Sequence, residues 1–148
     1  MILNRGYEIE FLNEGEAKSS DLLATLKDGE CEIECKHKQP NEDNLDFVRS
    51  IYDSTQTARK QFSKNRVGLI LIDIDQPNFD KFEVERARLE QEIIRAMRNS
   101  SSISGIFLTS KIAIQDQADF IYRHRVMGYA SSQARHPITG WLATNLVN

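Results

Sequence analysis

Apolar and polar positions alternate over residues 6–13 (GYEIEFLN), with Tyr7, Ile9 and Phe11 set against Glu8, Glu10 and Leu12. A period of two predicts a half-buried strand that turns its apolar set inward, and Asn13-Glu14-Gly15 closes it. A second strand is predicted over residues 19–26, followed by Asp28-Gly29, a strong tight-hairpin signal. The third strand, residues 30–38, alternates cleanly. Cys31, Ile33 and Cys35 are expected to face the core. Glu30, Glu32, Glu34, Lys36 and Lys38 are expected to face out, the first two toward solvent at the turn end. Pro40 stops the strand, because proline brings no donor to a ladder.

The period then changes. Phe47, Ile51, Thr55, Ala58 and Phe62 recur every three or four residues, with Val48 on the flank, and predict a helix over residues 43–64. Asn41 is the expected N-cap, with Glu42, Asp43 and Asp46 near the positive end of the macrodipole. Residues 67–74 (VGLILIDI) form a continuous apolar run, the mark of a strand covered on both faces. A second helix is expected over residues 79–98, ended by Asn99 and three serines, then a short strand over 103–109. One more extended segment is expected near residues 120–129, followed by a loop-rich tail through His136-Pro137 to Trp141. Three antiparallel strands, then helix, strand, helix and strand, imply an α/β fold, a mixed β-sheet flanked by helices. The helix ahead of the buried strand has the length of a parallel crossover. A single domain over residues 1–148 is expected, its core spanning about 6–110.

Composition narrows the class. Hydrophobic content of 40% and charged content of 28% are ordinary for a soluble globular chain. The longest apolar run falls far short of the ~20 residues that span a bilayer, and the N-terminus lacks the pattern of a signal peptide, so no membrane association is expected. The two cysteines, Cys31 and Cys35, lie roughly 13 Å apart along a strand, too far to bond. Both are expected to be buried and reduced, which suits the cytoplasm. A net charge of −3 argues against a protein that simply coats nucleic acid. Its distribution is uneven, since residues 1–48 hold 12 acids against 5 bases. Residues 49–66 reverse the balance, with Arg49, Arg59, Lys60, Lys64 and Arg66 against Asp53 alone.

The hairpin concentrates the chemistry. Glu34 and Lys36 are two apart on one strand and point the same way, Cβ atoms roughly 6–7 Å apart. Pairing around Asp28-Gly29 brings the start of the second strand alongside the end of the third, so Asp21 is expected near Glu34 and Lys36. Two converging carboxylates suit a hard divalent cation, and the backbone carbonyl of Cys35 is available as a third oxygen. A lysine beside them can orient a water or stabilise charge developing on a phosphate.

The stretch Ser20-Asp21 … Glu34-Cys35-Lys36, within SSDLLATLKDGECEIECKHK, resembles the signature of the PD-(D/E)xK nuclease superfamily with its restriction-endonuclease-like fold. The likeness covers residues 6–75 by order of pattern. It implies Asp21 and Glu34 as ligands of Mg²⁺ (or Mn²⁺), Lys36 as the group that positions the attacking water, and phosphodiester hydrolysis, in DNA first of all. A homodimer is expected by the same analogy. The alternative is a nuclease-fold domain that no longer cuts and serves as a nucleic-acid-binding or assembly module. A second match to the short motif, Glu16-Ala17-Lys18, falls in a turn and reads as surface.

Two departures stand out. Ser20 stands where the family favours proline, and the family's usual helix ahead of the first strand, often a source of another acid, has no counterpart before Gly6. Glu8 and Glu10 are the available substitutes, Glu10 preferred, although both equally read as the exposed face of a strand. The resemblance also implies a polar contribution from the next helix. Gln56 and Lys60 are the candidates, with Arg59 beside them as a contact to a nucleic-acid backbone. Wheel geometry sets Gln56 and Lys60 away from the apolar stripe, so solvent exposure is expected. His37 is expected to pack on the opposite sheet face from Lys36. His124 and His136 have no metal-ligand spacing. Asp73 and Asp75 read as polar strand-end residues, and Arg123-His124-Arg125 as a small phosphate contact or a solvated strand edge. Neither a glycine-rich phosphate loop nor a Gly-x-Ser-x-Gly elbow is present.

Overall fold

The computed structural model describes residues 8–12, 19–26, 29–38, 46–116 and 119–139. Six strands form one mixed sheet in sequence order: β1 (Glu8–Phe11), β2 (Leu22–Leu26), β3 (Gly29–Lys38), β4 (Val67–Ile74), β5 (Gly105–Asp116) and β6 (Asp119–Ala130). Three helices complete the chain order, α1 (Phe47–Ala58) between β3 and β4, then α2 (Gln76–Val84) and α3 (Arg86–Arg98) between β4 and β5. The β1–β2, β2–β3 and β5–β6 pairs are antiparallel, and β3–β4 and β4–β5 are parallel. The α/β class and the mixed sheet are as the pattern implied.

Both parallel crossovers step in the same direction along the sheet, and right-handed crossovers then fall on the same face. Ile70, Ile72 and Ile74 of β4 accordingly share one core cluster with Val48 and Ile51 of α1, Phe79 and Phe82 of α2, and Leu89 and Ile93 of α3. The opposite face holds a smaller cluster of Ala24, Cys31, Ile33, Leu69 and Phe107, with Ile138 packed against it. No helix of the described residues is long and apolar enough to cross a membrane.

The boundaries shift where tertiary demands outweigh periodicity. Helix α1 starts behind an Asp46 cap whose carboxylate accepts from the Arg49 N–H (3.2 Å), and the expected Asn41 cap lies outside the described residues. It stops at Ala58 rather than near residue 64, because the chain must turn back to β4 and the Ser63 N–H is claimed by the Glu32 carboxylate. The expected single helix over 79–98 is two helices that meet at Glu85 (φ −94, ψ 24). Asp75 caps the first, accepting from the Asn78 N–H at 2.9 Å. The break lets Phe79 and Phe82 reach the core that Leu89 and Ile93 also reach, while Val84 at the joint is 87% exposed. Phe11, expected inside, is 81% exposed on the edge strand. Strand β5 runs on to Asp116, and the extended segment expected near residues 120–129 is β6, which pairs with β5 along its whole length.

Candidate functional site

Gly29, at φ 138, opens β3 in a conformation that suits glycine, and the register then runs Leu26↔Gly29 to Leu22↔Ile33. Ladder pairing ends at Leu22, which leaves Asp21 one step beyond, level with Glu34. There the Asp21 side chain replaces the missing strand, its Oδ2 accepting from the Cys35 N–H at 2.7 Å. The Cys35 carbonyl lies on the same edge of β3 as that N–H. The hairpin therefore brings Asp21, Glu34 and Lys36 together, as its pattern indicated.

The charged face of β3 does not point to solvent, and this corrects the expectation from alternation. Glu34 stands beside Ile70 and Lys36 beside Ile72, on the face that the helices cover. Glu32 and Glu34 are only 4% and 3% exposed, whereas Glu30 at the turn end is exposed. The helices cover the face of β3 that carries the charges, so Glu32 and Glu34 are buried beneath them. Cys35, expected inside, is exposed on the other face, and Cys31 is buried there. Burial, and secondarily Glu32, pushes the Cys31 thiol up to about 12. Cys35 is raised too, first by burial and then by the nearby Asp21 and Glu34 carboxylates.

Lys36 Nζ donates to Glu34 Oε1 at 2.5 Å, reaching inward from a side chain that is 30% exposed. The second oxygen, Glu34 Oε2, is buried and has no hydrogen-bond partner among the described residues. A buried carboxylate oxygen without a donor is rare, because desolvation is then uncompensated. Lys38 continues the same face. Burial lowers its ammonium below the usual lysine value, Asp53 of α1 raises it back, and Lys36 lowers it further. Lys38 and Asp53 bring charge to the rim of the site that the motif alone does not single out. Among the described residues, no three His, Cys, Asp or Glu side chains stand where they could hold one metal ion. The site offers two carboxylates and a backbone carbonyl.

The remaining candidates separate. Glu10 is exposed on β1, opposite Leu23 and thus level with Glu32 rather than Glu34, so it is not brought to the other carboxylates. Gln56 is half-buried, and its Nε2 is buried with no partner among the described residues. Arg59 donates to the Asn99 carbonyl at 2.7 Å, and Lys60 is exposed. His37 lies on the opposite face from Lys36, as expected, but is exposed rather than packed, its Nδ1 3.2 Å from Asp73 Oδ2. Asp73 Oδ1 accepts from the Thr109 hydroxyl at 3.3 Å. His136 lies against the Lys64 carbonyl (3.0 Å).

No protein-family model and no curated protein matches the sequence. Among solved structures, that of Pyrococcus furiosus SfsA in complex with Ca²⁺ is similar at 17% identity and a TM-score of 0.35. The match covers 78% of this chain and 53% of that one, so the chain spans about half the length of that relative. A likeness of this degree bears on neither activity nor ligand.

Proposed function

We propose that the chain is a divalent-metal-dependent nuclease of the PD-(D/E)xK kind, built on a restriction-endonuclease-like sheet and acting on DNA. The observation that carries this reading is Glu34 Oε2, a buried carboxylate oxygen with no donor among the described residues, beside Asp21 and Lys36. A site with an unsatisfied buried oxygen, a second carboxylate and a strand carbonyl has the hard-oxygen chemistry that Mg²⁺ or Mn²⁺ takes. Asp21, Glu34 and the Cys35 carbonyl would hold the ion, which supplies Lewis-acid polarisation of a phosphate oxygen and a more acidic bound water.

The protein groups do the rest. Asp21 is held at the end of β2 by the Cys35 N–H, which engages one of its oxygens and leaves carboxylate lone pairs for a cation. Lys36 Nζ has three N–H donors and gives one to Glu34 Oε1, which leaves two for a water or a phosphate oxygen. Burial of Glu34 under the helices removes competing solvent and strengthens every charge interaction at the site. The test is cleavage of supercoiled plasmid with Mg²⁺ or Mn²⁺. Wild-type protein nicks or linearises it, while Lys36→Ala, Asp21→Ala and added EDTA each stop the reaction. Intact plasmid with wild-type protein, or cleavage that survives EDTA, overturns the reading.

The second reading, a nuclease-fold module that binds or assembles without cutting, is favoured by one observation. Among the described residues no three His, Cys, Asp or Glu side chains stand where they could hold one metal ion, and Lys36 is already paired with Glu34. Calorimetry separates the two, since the module shows no Mg²⁺ heat and the nuclease shows one that Asp21→Ala removes.

A further inference from the structure

Three loops gather at the end of the sheet opposite the candidate site. Helix α1 ends at Ala58, and residues 59–66 return the chain to Val67, which opens β4 level with Cys31. Helix α3 ends at Arg98, and residues 99–104 lead into β5 at Gly105. After β6 the chain runs back beneath the sheet, the Ser131 N–H donating to the Ser104 carbonyl at 2.9 Å and the Arg135 N–H to the Ser101 carbonyl at 2.7 Å. Hydrogen bonds make one surface of the three. Arg59 donates to the Asn99 carbonyl, the Ser102 hydroxyl to the Arg59 carbonyl at 3.4 Å, and Arg135 Nη1 to the Lys64 carbonyl at 3.4 Å. Lys36 is level with Ile72, five residues along β4 from Val67, so this pole lies roughly 17 Å from the candidate site.

The charge of the pole is one-sided. Residues 59–66, 98–104 and 131–139 carry Arg59, Lys60, Lys64, Arg66, Arg98 and Arg135 and no acid, in a protein of net charge −3. The adjoining β2–β3 hairpin brings Glu30 and Glu32, and Arg66 engages both. Residues 27–28 at its turn, outside the described residues, carry one charge of each sign. Glu8, also exposed, is level with Glu30 but two strands farther out. Six cations against Glu30 and Glu32 leave a net of four positive charges. Arg59, Lys60, Lys64, Arg98 and Arg135 form no ion pair among the described residues. A helix C-terminus favours cations, which accounts for Arg59 and Arg98. Lys64 and Arg135 stand in loops beyond the helices and have no such reason. The β5–β6 hairpin at the other end of the molecule carries no such excess. Asp116 and Asp119 at its tip balance Lys111 and Arg123 in formal charge, and Arg125 pairs with Asp80 at 2.6 Å.

We propose that this pole is a docking surface for the phosphate backbone of a DNA duplex, with Lys60, Lys64, Arg98 and Arg135 as the phosphate contacts. Charge complementarity sets the sign of the partner, and the rest of the surface narrows its kind. None of the exposed large apolar side chains among the described residues lies in the three loops. The pole therefore has nothing to insert into a lipid surface, and no aromatic platform for the unpaired bases of a single strand. It also lacks the apolar centre of a protein–protein interface, whereas polar and strongly cationic contacts are the mark of a DNA interface. Between the cations stand Ser63, Asn65, Asn99 and Ser101, exposed residues of the kind that donate to phosphate oxygens. A duplex held here is a contact separate from Asp21, Glu34 and Lys36. The inference goes beyond the proposed function and rests on neither the metal site nor cleavage.

The experiment measures anisotropy of a fluorescein-labelled DNA duplex in EDTA, where binding is read without turnover. Three proteins are compared: wild type, the pole variant Lys64→Ala/Arg98→Ala, and Lys111→Ala/Arg123→Ala, which removes the same charge from the β5–β6 hairpin. The pole variant is expected to bind about tenfold more weakly, with its dependence of log K on log salt shallower by about 2, one for each lost phosphate contact. The hairpin variant is expected to match wild type. Circular dichroism confirms that each protein is folded. A folded pole variant with unchanged affinity and salt slope overturns the proposal, as does an equal loss in the hairpin variant. A labelled single strand bound more tightly than the duplex overturns it as well. So does a wild type that binds no duplex, and binding of phosphatidylserine vesicles by that protein then assigns the pole to lipid headgroups. Plasmid left intact by wild type with Mg²⁺, while duplex binding still depends on Lys64 and Arg98, sinks the nuclease reading and leaves the docking surface standing. Cleavage by a pole variant whose affinity is unchanged sinks the docking surface alone.

Discussion

Glu32 and Glu34 sit two residues apart on one face of β3, both almost wholly buried, and their surroundings differ completely. Glu32 is satisfied on both oxygens. Its Oε2 accepts from the Ser63 N–H at 2.7 Å, and its Oε1 pairs with Arg66 at 3.2 Å. Arg66 bonds to Glu30 as well, and these carboxylates, Glu30 first, raise its guanidinium further. Among the described residues, Glu34 has one partner, the ammonium of Lys36, and one oxygen with none. A buried carboxylate with every lone pair engaged closes a structure, here by pinning the turn after α1 to β3. One left half-engaged can still accept a donor or a cation, which is the use the proposed function makes of Glu34. Identical residue type, strand, face and burial thus come with different surroundings, decided by which donors reach them.

Neutral isosteres break this comparison most sharply. Glu34→Gln is expected to lower plasmid cleavage by about 10²- to 10³-fold, because a carboxylate is lost from the proposed site. Its effect on urea-unfolding stability is expected to stay within about 1 kcal/mol, since a half-satisfied buried charge contributes little net stability. Glu32→Gln is expected to do the reverse. It costs about 2 kcal/mol by weakening two charge-assisted bonds, while the folded fraction keeps its cleavage rate. Equal stability losses in the two variants would erase the distinction.

Divalent cations sharpen it further. With Mg²⁺ at about 100 times its Kd, the wild type gains about 2.7 kcal/mol, read as a rise in Tm. Glu32→Gln is expected to keep that gain from its lower starting point, and Glu34→Gln to lose it. A gain retained in Glu34→Gln places the cation elsewhere.

The meeting of Asp21 with Glu34 and Lys36 was legible because it depends only on a tight turn and a period of two. The Leu26↔Gly29 pairing sets the register, and counting back along the two strands places Asp21 beyond Leu22, level with Glu34. The buried run of β4 was legible too, since VGLILIDI is short, rich in β-branched residues and continuously apolar, the pattern of a strand covered on both faces. The burial of Glu32 and Glu34 was not. Alternation sorts residues into two faces but is silent on which face the helices cover, and a row of charges suggests water. Only the placement of β3 between β2 and β4, with α1 crossing on the charged side, decides it. The break at Glu85 was hidden too, as neither glycine nor proline marks it. The run of β5 and β6 past Thr109 escaped because a strand's length beyond its neighbour is a property of the sheet and has no local signature in Ile112 or Ile114.

The smaller contrast on the other face of β3 gives the last and mildest prediction. Cys31 and Cys35 share that face, one buried beneath the second core cluster and one exposed. A thiol reagent at neutral pH is expected to label Cys35 in the native protein and Cys31 only on unfolding. The Cys31 thiol is pushed up to about 12 in the folded chain from an ordinary value of 9.0, so the folded state holds its proton more tightly. That contribution to stability is complete below pH ~9 and is lost as pH rises from there through ~12, because the unfolded chain ionises first. Cys31→Ala removes this alkaline loss at the expense of about 1 kcal/mol in packing, and Cys35→Ala leaves it in place. Urea midpoints measured for both variants between neutral and strongly alkaline pH check the sign. An alkaline loss that persists in Cys31→Ala and vanishes in Cys35→Ala would reverse the assignment of the two sulfurs to inside and outside.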